Sequence, residues 1–293
     1  MFGTDVDALD ISYPAKNGAR LAGFSNLVTK VTDNVAWCAM SFPERPCFSL
    51  GMLGDILDFQ NGLYFENERR QNAGEERLKF GVLSSTHSSV FSLGGDLRLF
   101  VNAVRSGNAF LLRSYAHLCV DTIYKNWCGL GANIVVIALV QGAAMGGGME
   151  AALSGGLLVA ERDARLGLPE IGIGLFPGMG AYPLLAARIG MSRAERLILG
   201  GEIYSAQEMY EMGVVDILAE SGRGADAVVE FISKNTNKHN ALASVLQQRR
   251  AYFPLTLAAL RRDAELWVEA ALGLTEKDLE KMERLASVQL RVG

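Results

Sequence analysis

The chain has 293 residues, of which 49% are hydrophobic and 20% charged, and it carries a formal net charge of −4 at pH 7. A chain of this size and composition can bury a large hydrophobic core. The acidic balance argues against a general electrostatic interaction with nucleic acid. No apolar run reaches the roughly 18 residues that a membrane span needs.

Cysteine spacing and the first residues of the chain indicate a reducing environment. The four cysteines are Cys38, Cys47, Cys119 and Cys128. They form no C-x-x-C pair, so we expect free thiols rather than a disulfide framework or a metal site. The opening segment MFGTDVDALD lacks a positive stretch before an apolar run, which argues against a signal peptide. We therefore expect a soluble, cytoplasmic protein without a bound metal.

The first part of the chain alternates strand-like and helix-like segments after a weakly periodic stretch, residues 1–24, that is predicted to be irregular. Strands are predicted over residues 35–42, 80–85, 133–140 and 156–161, and helices over residues 50–68, 97–107 and 110–127. The run NIVVIALV is continuously apolar, as is typical of a buried parallel strand. This alternation predicts an α/β fold with a parallel sheet and crossover helices.

From residue 182 onward the sequence is mainly helical. Helices are predicted over residues 183–189 and 192–199, a short strand over 214–218, and helices over almost everything beyond residue 222. Ser205 stands three residues before Glu208, which is a capping box at a helix start. Thr275 and Asp278 mark another helix start near the end of the chain.

Two segments share one arrangement, in which a strand leads through a glycine turn into a helix. They are FSLGGDLRLF, residues 91–100, and VQGAAMGGGMEAAL, residues 140–153. Free backbone N–H groups at a helix start favour negative charge. Two such groups that converge from separate turns can hold a developing oxyanion. Either turn alone is more simply an ordinary helix entry, but the pair, followed by suitably placed acids, favours a site.

Glu150 and Glu170 are the candidate acids. Glu150 lies just inside the helix after the second turn, and Glu170 follows twenty positions later in GLPEIGIGLFPGMG. A strand and a return can bring such residues together, and two carboxylates beside a bound carbonyl compound suit general acid/base chemistry. Spacing alone favours simpler interpretations: a solvated first-turn glutamate for Glu150, and a surface loop acid for Glu170.

Three motifs together resemble the crotonase (enoyl-CoA hydratase/isomerase) superfamily: SLGGDL, VQGAAMGGGMEAAL and LGLPEIGIGLFPGMGAYPLLAARIG. Their order and spacing match from about Val35 to the C-terminus. The resemblance implies an α/β spiral of β-β-α turns with a C-terminal helical region, assembled as a trimer or a hexamer. It implies a core over residues 1–218 with a weakly structured N-terminal segment. A helical region over 219–293 would cover the acyl pocket and assist oligomerisation.

The same resemblance assigns roles to individual residues. Gly95 and Gly147 would supply the N–H groups of an oxyanion hole. Glu150 and Glu170 match the two acid/base glutamates of the hydratases. Members of the superfamily with other chemistries often lack one of these glutamates.

Less general stretches look like the diffusible-signal-factor synthases, which are quorum-sensing enzymes of the same superfamily. These stretches are RPCFSLGMLGDI, VNAVRSG, FPGMGAY and the tail ELWVEAALGLTEKDLEKMERLASVQLR. The resemblance implies dehydration of 3-hydroxyacyl-acyl carrier protein to a cis-2-enoyl thioester, followed by hydrolysis to the free acid. It implies a carrier-protein or CoA thioester substrate, no metal or redox cofactor, and allows for a regulatory partner protein. Met179, Trp267 and Leu285 would line the acyl pocket, although ordinary helix packing is the simpler interpretation of each.

Two other functions stay open at this point. An ordinary enoyl-CoA hydratase of fatty-acid oxidation shares both glutamates. A crotonase-fold protein that binds a ligand, such as RNA, without turnover is a different class. The acidic net charge and the two retained glutamates argue against such a binding protein.

Overall fold

The computed structural model of the protein describes residues 21–292. Residues 1–24 are predicted to be irregular, and residues 1–20 of this segment lie outside the described residues. Ten strands are present in the described part: β1 (Leu27–Thr32), β2 (Val35–Met40), β3 (Phe80–Ser85), β4 (Val90–Ser92), β5 (Val135–Val140), β6 (Ala143–Met145), β7 (Leu157–Glu161), β8 (Arg165–Gly167), β9 (Ile203–Ser205) and β10 (Ile217–Ala219).

Eleven α-helices accompany these strands in the described part. They are α1 (Leu50–Asn72), α2 (Leu97–Arg105), α3 (Ala109–Trp127), α4 (Gly147–Leu153), α5 (Ala181–Ile189), α6 (Met191–Gly200), α7 (Ala206–Glu211), α8 (Gly224–Asn235), α9 (His239–Tyr252), α10 (Leu257–Leu272) and α11 (Glu276–Val292). A 3-10 turn, Pro169–Ile173, separates β8 from α5.

The strands form two sheets that the chain visits alternately. The larger sheet has the order β1-β2-β3-β5-β7-β10, and the smaller has the order β4-β6-β8-β9. Each of β3, β5 and β7 is followed directly by a short strand of the smaller sheet, and β4 and β6 then lead into helices α2 and α4. This repetition of β-β-α units confirms the predicted α/β spiral.

Pairing within both sheets is mainly parallel. Only the β1–β2 and β8–β9 pairs are antiparallel among the pairs described. All six residues of β5 are buried, as a strand covered on both faces requires. The main core lies between the sheets and helices α1, α3 and α10, and α10 packs along α3.

The predicted strand over residues 214–218 is wrong in its first half. Val214 and Val215 are buried, but both of their N–H groups donate to the carbonyl of Met209 and close the turn after α7. Gly213 has a φ of +81°, which turns the chain there. The strand β10 therefore begins only at Ile217.

The C-terminal helices cover one side of the core. Helix α11 packs against α2 and against the 3-10 turn. It begins with a second capping box, in which Thr275 and Asp278 exchange hydrogen bonds. None of the helices within residues 21–292 is both long enough and apolar enough to cross a membrane. The proposed division into two regions at residue 218 stays a prediction.

Candidate active site

A cavity of about 400 Å³ lies where the turns β4–α2 and β6–α4 meet the 3-10 turn, α10 and α11. Its walls are mainly apolar. All seven residues selected from the sequence line it: Gly95, Gly147, Glu150, Glu170, Met179, Trp267 and Leu285. The structure therefore brings the predicted site residues together, whereas their individual roles stay predictions.

The glycine run of residues 146–148 is explained by close contacts of the backbone. A β-carbon on Gly148 would lie 2.2 Å from the carbonyl oxygen of Ser92, which no structure tolerates. A β-carbon on Gly147 would lie 2.8 Å from Met179 Sδ and 3.6 Å from the backbone nitrogen of Gly95. Glycine thus allows the two turns to approach each other, and this close approach offsets the conformational entropy that three consecutive glycines lose on folding.

The N–H groups of Gly95 and Gly147 are available to a ligand. Within residues 21–292, neither group donates a hydrogen bond to another protein atom. Gly147 is the first residue of α4, and Gly95 precedes Asp96, whose side chain caps the start of α2 by accepting from Leu99 N at 3.1 Å. Free N–H groups at two converging helix starts favour negative charge. This geometry suits an oxyanion hole.

Glu150 is a buried acid, only 1% exposed, and not the solvated residue that its spacing alone favoured. Its Oε1 accepts hydrogen bonds from the backbone N–H groups of Met179, at 2.7 Å, and Ala181, at 3.0 Å. Burial first, and then the charge of Glu170, raises the pKa of Glu150 from 4.5 to about 8. The two hydrogen bonds act in the opposite direction but do not offset the burial.

Glu170 lies in the 3-10 turn, directly after Pro169, and is half-buried. Its Oε2 has no hydrogen-bond partner among the described residues, although the atom itself is buried. Burial raises the pKa of Glu170 from 4.5 to about 7. The simpler interpretation of this residue as a surface acid is therefore wrong.

Both glutamates have raised pKa values, and the charge of Glu170 contributes to that of Glu150. Because the pKa of each carboxyl group lies near neutrality, the two groups together bind a proton at pH values where isolated carboxylates have lost theirs. One protonated and one ionised carboxyl group facing one cavity is the arrangement that general acid/base catalysis needs.

An aromatic wall closes the apolar part of the cavity. Trp267 of α10 is buried, and its ring centroid lies 4.9 Å from that of Phe100. Phe100 in turn packs edge-on against Tyr115 at 5.0 Å. Leu285 of α11 also lines the cavity but is 45% exposed, which places it at the mouth. The half-buried Met179 also lines the cavity, with its Sδ beside Gly147.

The described part of the chain contains no set of side chains that is suited to bind a metal ion. No group of three His, Cys, Asp or Glu side chains within residues 21–292 is arranged to hold an ion. The four cysteines are free, as expected. Burial raises the pKa of the Cys38 and Cys47 thiols to about 12, so these groups stay protonated and unreactive.

Sequence reasoning missed two polar contributors to the site. Tyr115 donates to the carbonyl of Phe48 at 2.6 Å and accepts from Asp96 N beside the first glycine turn. Gln289 of α11 reaches the same turn and lines the cavity. Neither residue has a local sequence signal, because both act through contacts with distant parts of the chain.

The model of one protein family, enoyl-CoA hydratase/isomerase, matches residues 70–266. This chain belongs to the enoyl-CoA hydratase/isomerase family. The matched range contains both glycine turns and both glutamates. It ends before Trp267, so α11 and most of the tail lie outside it.

Individual members of the family are similar to this one over part of their length. The 2,3-dehydroadipyl-CoA hydratase of Escherichia coli (strain K12) is 33% identical over 190 residues, which are 64% of this chain and 70% of that protein. A probable enoyl-CoA hydratase of Bacillus subtilis (strain 168) is 32% identical over 170 residues, 58% of each chain.

A solved structure supports the fold at lower sequence identity. The crystal structure of an enoyl-CoA hydratase/isomerase from Xanthobacter autotrophicus Py2 has a TM-score of 0.73 and 23% identity, and the match covers 92% of this chain and 96% of that one.

Proposed function

We propose that this protein is a 3-hydroxyacyl-thioester dehydratase and thioesterase of the cytoplasm. Its substrate is 3-hydroxyacyl-acyl carrier protein, and its product is a free cis-2-unsaturated fatty acid that serves as a quorum-sensing signal. The observation that carries this proposal is the pair Glu150 and Glu170, two acids of raised pKa beside two unpaired N–H groups in an apolar cavity.

Dehydration follows from that arrangement. The thioester carbonyl accepts hydrogen bonds from the N–H groups of Gly95 and Gly147, which stabilise the enolate and make the α-proton removable. One glutamate takes the α-proton. The other protonates the 3-hydroxyl group, which leaves as water while the carbon–carbon double bond forms.

Hydrolysis uses the same oxyanion hole. Water attacks the thioester carbonyl, the tetrahedral oxyanion is held by the two N–H groups, and the carbon–sulfur bond breaks. The carrier thiol leaves with a proton, and the free acid remains. This chain's own residues suffice for both steps, so we propose that neither a metal nor a redox cofactor takes part.

Binding of a medium-length acyl chain is supported by the apolar wall that α10 and α11 add to the cavity. Trp267 and Leu285 present apolar surface to the cavity, and each buried CH₂ of a ligand gains about 0.8 kcal/mol. The tail that carries these residues also carries the resemblance to the signal synthases. We further propose a homotrimer or hexamer, to which a regulatory partner binds.

Hydration of enoyl-CoA is the second candidate, since the curated relatives are hydratases by name. The deciding experiment incubates the protein with 3-hydroxydodecanoyl-acyl carrier protein and identifies products by mass spectrometry. Free cis-2-dodecenoic acid supports the synthase. Reversible hydration of trans-2-enoyl-CoA without hydrolysis supports the hydratase, and no reaction on either substrate leaves a binding protein. Dialysis against a chelator beforehand tests the independence from metal.

Gly147→Pro tests whether one oxyanion hole serves both reactions. Gly147 is the first residue of α4, where the fixed φ of proline suits a helix start, and the substitution deletes the N–H donor. Because the new β-carbon also crowds Met179 Sδ, Gly147→Ala, which keeps the N–H, is the matched control. Loss of one donor costs about 10²–10³-fold in rate. Dehydration and hydrolysis are expected to fall together. Survival of hydrolysis alone, in a variant that folds, assigns the two reactions to different sites.

A further inference from the structure

Three consecutive carbonyl groups of the first glycine turn are each held by a distant part of the chain. The carbonyl oxygen of Gly94 accepts from Phe48 N at 2.8 Å. The carbonyl oxygens on either side, of Leu93 and Gly95, both accept from Gln289 Nε2, at 3.2 and 3.1 Å. The turn that carries the Gly95 N–H is therefore fixed from both faces.

These bonds determine where the Gly95 N–H points. The Gly94 carbonyl and the Gly95 N–H belong to one planar peptide group, so a bond that holds the oxygen also directs the N–H. The bonds from Gln289 fix the peptide groups immediately before and after it. Hydrogen bonds to a peptide oxygen also polarise the group and strengthen its N–H as a donor.

Gln289 is an unusual residue for the position it takes. It is only 3% exposed, and its amide nitrogen must face the turn because both neighbours are carbonyl oxygens. Its Oε1 is buried without a hydrogen-bond partner among the described residues. An apolar side chain would avoid that unsatisfied oxygen but would take the donor away from the carbonyl oxygens of Leu93 and Gly95, so the amide serves the turn itself.

The helix that carries Gln289 is tied to the helix that follows the turn. Arg105, in the last turn of α2, forms ion pairs with Glu276 and with Glu283 of α11, the latter at 2.6 Å. Leu285, one turn before Gln289, lines the cavity mouth. Helix α11 thus contacts both the acyl region and the oxyanion region of one site.

We propose that Gln289 is a positioning residue for the oxyanion hole, which aligns the Gly95 N–H for the thioester carbonyl. This inference rests on the function proposed above for Gly95. It assigns part of the catalytic geometry to α11, beyond the range that the family model matches.

The test compares Gln289→Leu and Gln289→Glu with Ser287→Ala. Leucine removes the donor, glutamate keeps the shape but presents oxygens to the two carbonyls, and the exposed Ser287 lies on the same helix away from the turn. The first measurement is the absorption of bound 2,4-hexadienoyl-CoA, a conjugated thioester whose band shifts to longer wavelength when its carbonyl is polarised. The second is the steady-state kinetics of dehydration.

We expect the red shift in the wild type and in Ser287→Ala, and a much smaller shift in both Gln289 variants with the dissociation constant nearly unchanged. Their kcat should fall about 10–100-fold while KM changes little, because a displaced catalytic group can cost on the order of 10²-fold. A folded Gln289→Leu or Gln289→Glu variant that keeps the full shift and kcat overturns the positioning role. Absence of the shift in the wild type instead overturns the oxyanion-hole assignment itself, and the inference with it.

Discussion

The carboxylate of Glu170 occupies the space that a side chain at Gly146 would need. A β-carbon on Gly146 would lie 2.6 Å from Glu170 Oε1, and Gly146 has a φ of +53°. Two features that are far apart in the sequence motif, the glycine run and the second acid, are therefore parts of one packed arrangement. The absence of a side chain at residue 146 is a requirement for placing the acid.

Gly146→Ala tests this relationship. The new methyl group displaces the carboxylate, and the positive φ adds about 1–2 kcal/mol of strain. We expect dehydration to fall about 10²-fold, with a modest decrease of the melting temperature. Gly172→Ala is the control in the neighbouring turn, since its β-carbon meets no atom within 4 Å. Near-normal turnover by Gly146→Ala would contradict the packing account.

Glu150→Gln and Glu170→Gln keep the shape of each side chain and remove proton transfer. In Glu150→Gln the amide oxygen can still accept from Met179 N and Ala181 N, so the variant is expected to fold. Each substitution should reduce the dehydration rate by about 10²–10⁴-fold. The exposed Asp163→Asn provides the control for loss of a carboxylate. If either variant turns over at the wild-type rate, that residue has no part in the mechanism.

The raised pKa of Glu150 predicts an unusual dependence of stability on pH. Its pKa is about 8 in the folded protein and near 4.5 when exposed, so the folded state holds a proton that the unfolded state has released. This contribution is complete below pH 4.5 and is lost as the pH rises through 8. The wild-type melting temperature should therefore fall relative to Glu150→Gln between pH 5 and pH 8. Differential scanning calorimetry that gives parallel curves would rule this out.

Trp267→Ala tests the acyl wall. The buried ring packs against Phe100 in the apolar wall of the cavity, so its loss should weaken the binding of long acyl chains most. We expect kcat/KM to fall more for C12 than for C8 3-hydroxyacyl thioesters, with C4 turnover largely kept. Leu285→Ala, at the more exposed mouth, is the milder companion and disturbs the core less. An equal loss at every length would mean that Trp267 only packs the fold.

Long elements of the fold could be predicted because their patterns extend over many residues. Strand β3 covers the predicted residues 80–85, and α3 begins one residue before the predicted start at 110. The short strands of the smaller sheet were missed, since three residues are too few for a period-two pattern to appear. The second glycine turn consequently follows β6 rather than the predicted strand at 133–140.

The parts of the site that belong to a local sequence motif could be predicted. The parts that depend on contacts between distant residues could not. The glycine turns and the two acids are local, so their spacing indicated a site. The burial of Glu150 depends on Met179 and Ala181, which approach it only in the folded chain, and the sequence spacing favoured a solvated residue instead. Gln289 illustrates the limit, because no neighbour in the sequence indicates its contact with Leu93.

That contact joins residues 196 positions apart, whereas the bond between Glu150 and Ala181 spans 31. Contacts between distant residues form late because closing a long loop costs more entropy. A refolding chain should therefore form the Glu150–Ala181 bond before Gln289 aligns the oxyanion hole, and stopped-flow refolding should show helical circular dichroism returning before the hexadienoyl-CoA red shift. Simultaneous recovery of the two signals would argue against this order. In that order, a chain on which α11 has not yet docked holds Glu150 in place but lacks an aligned Gly95 N–H.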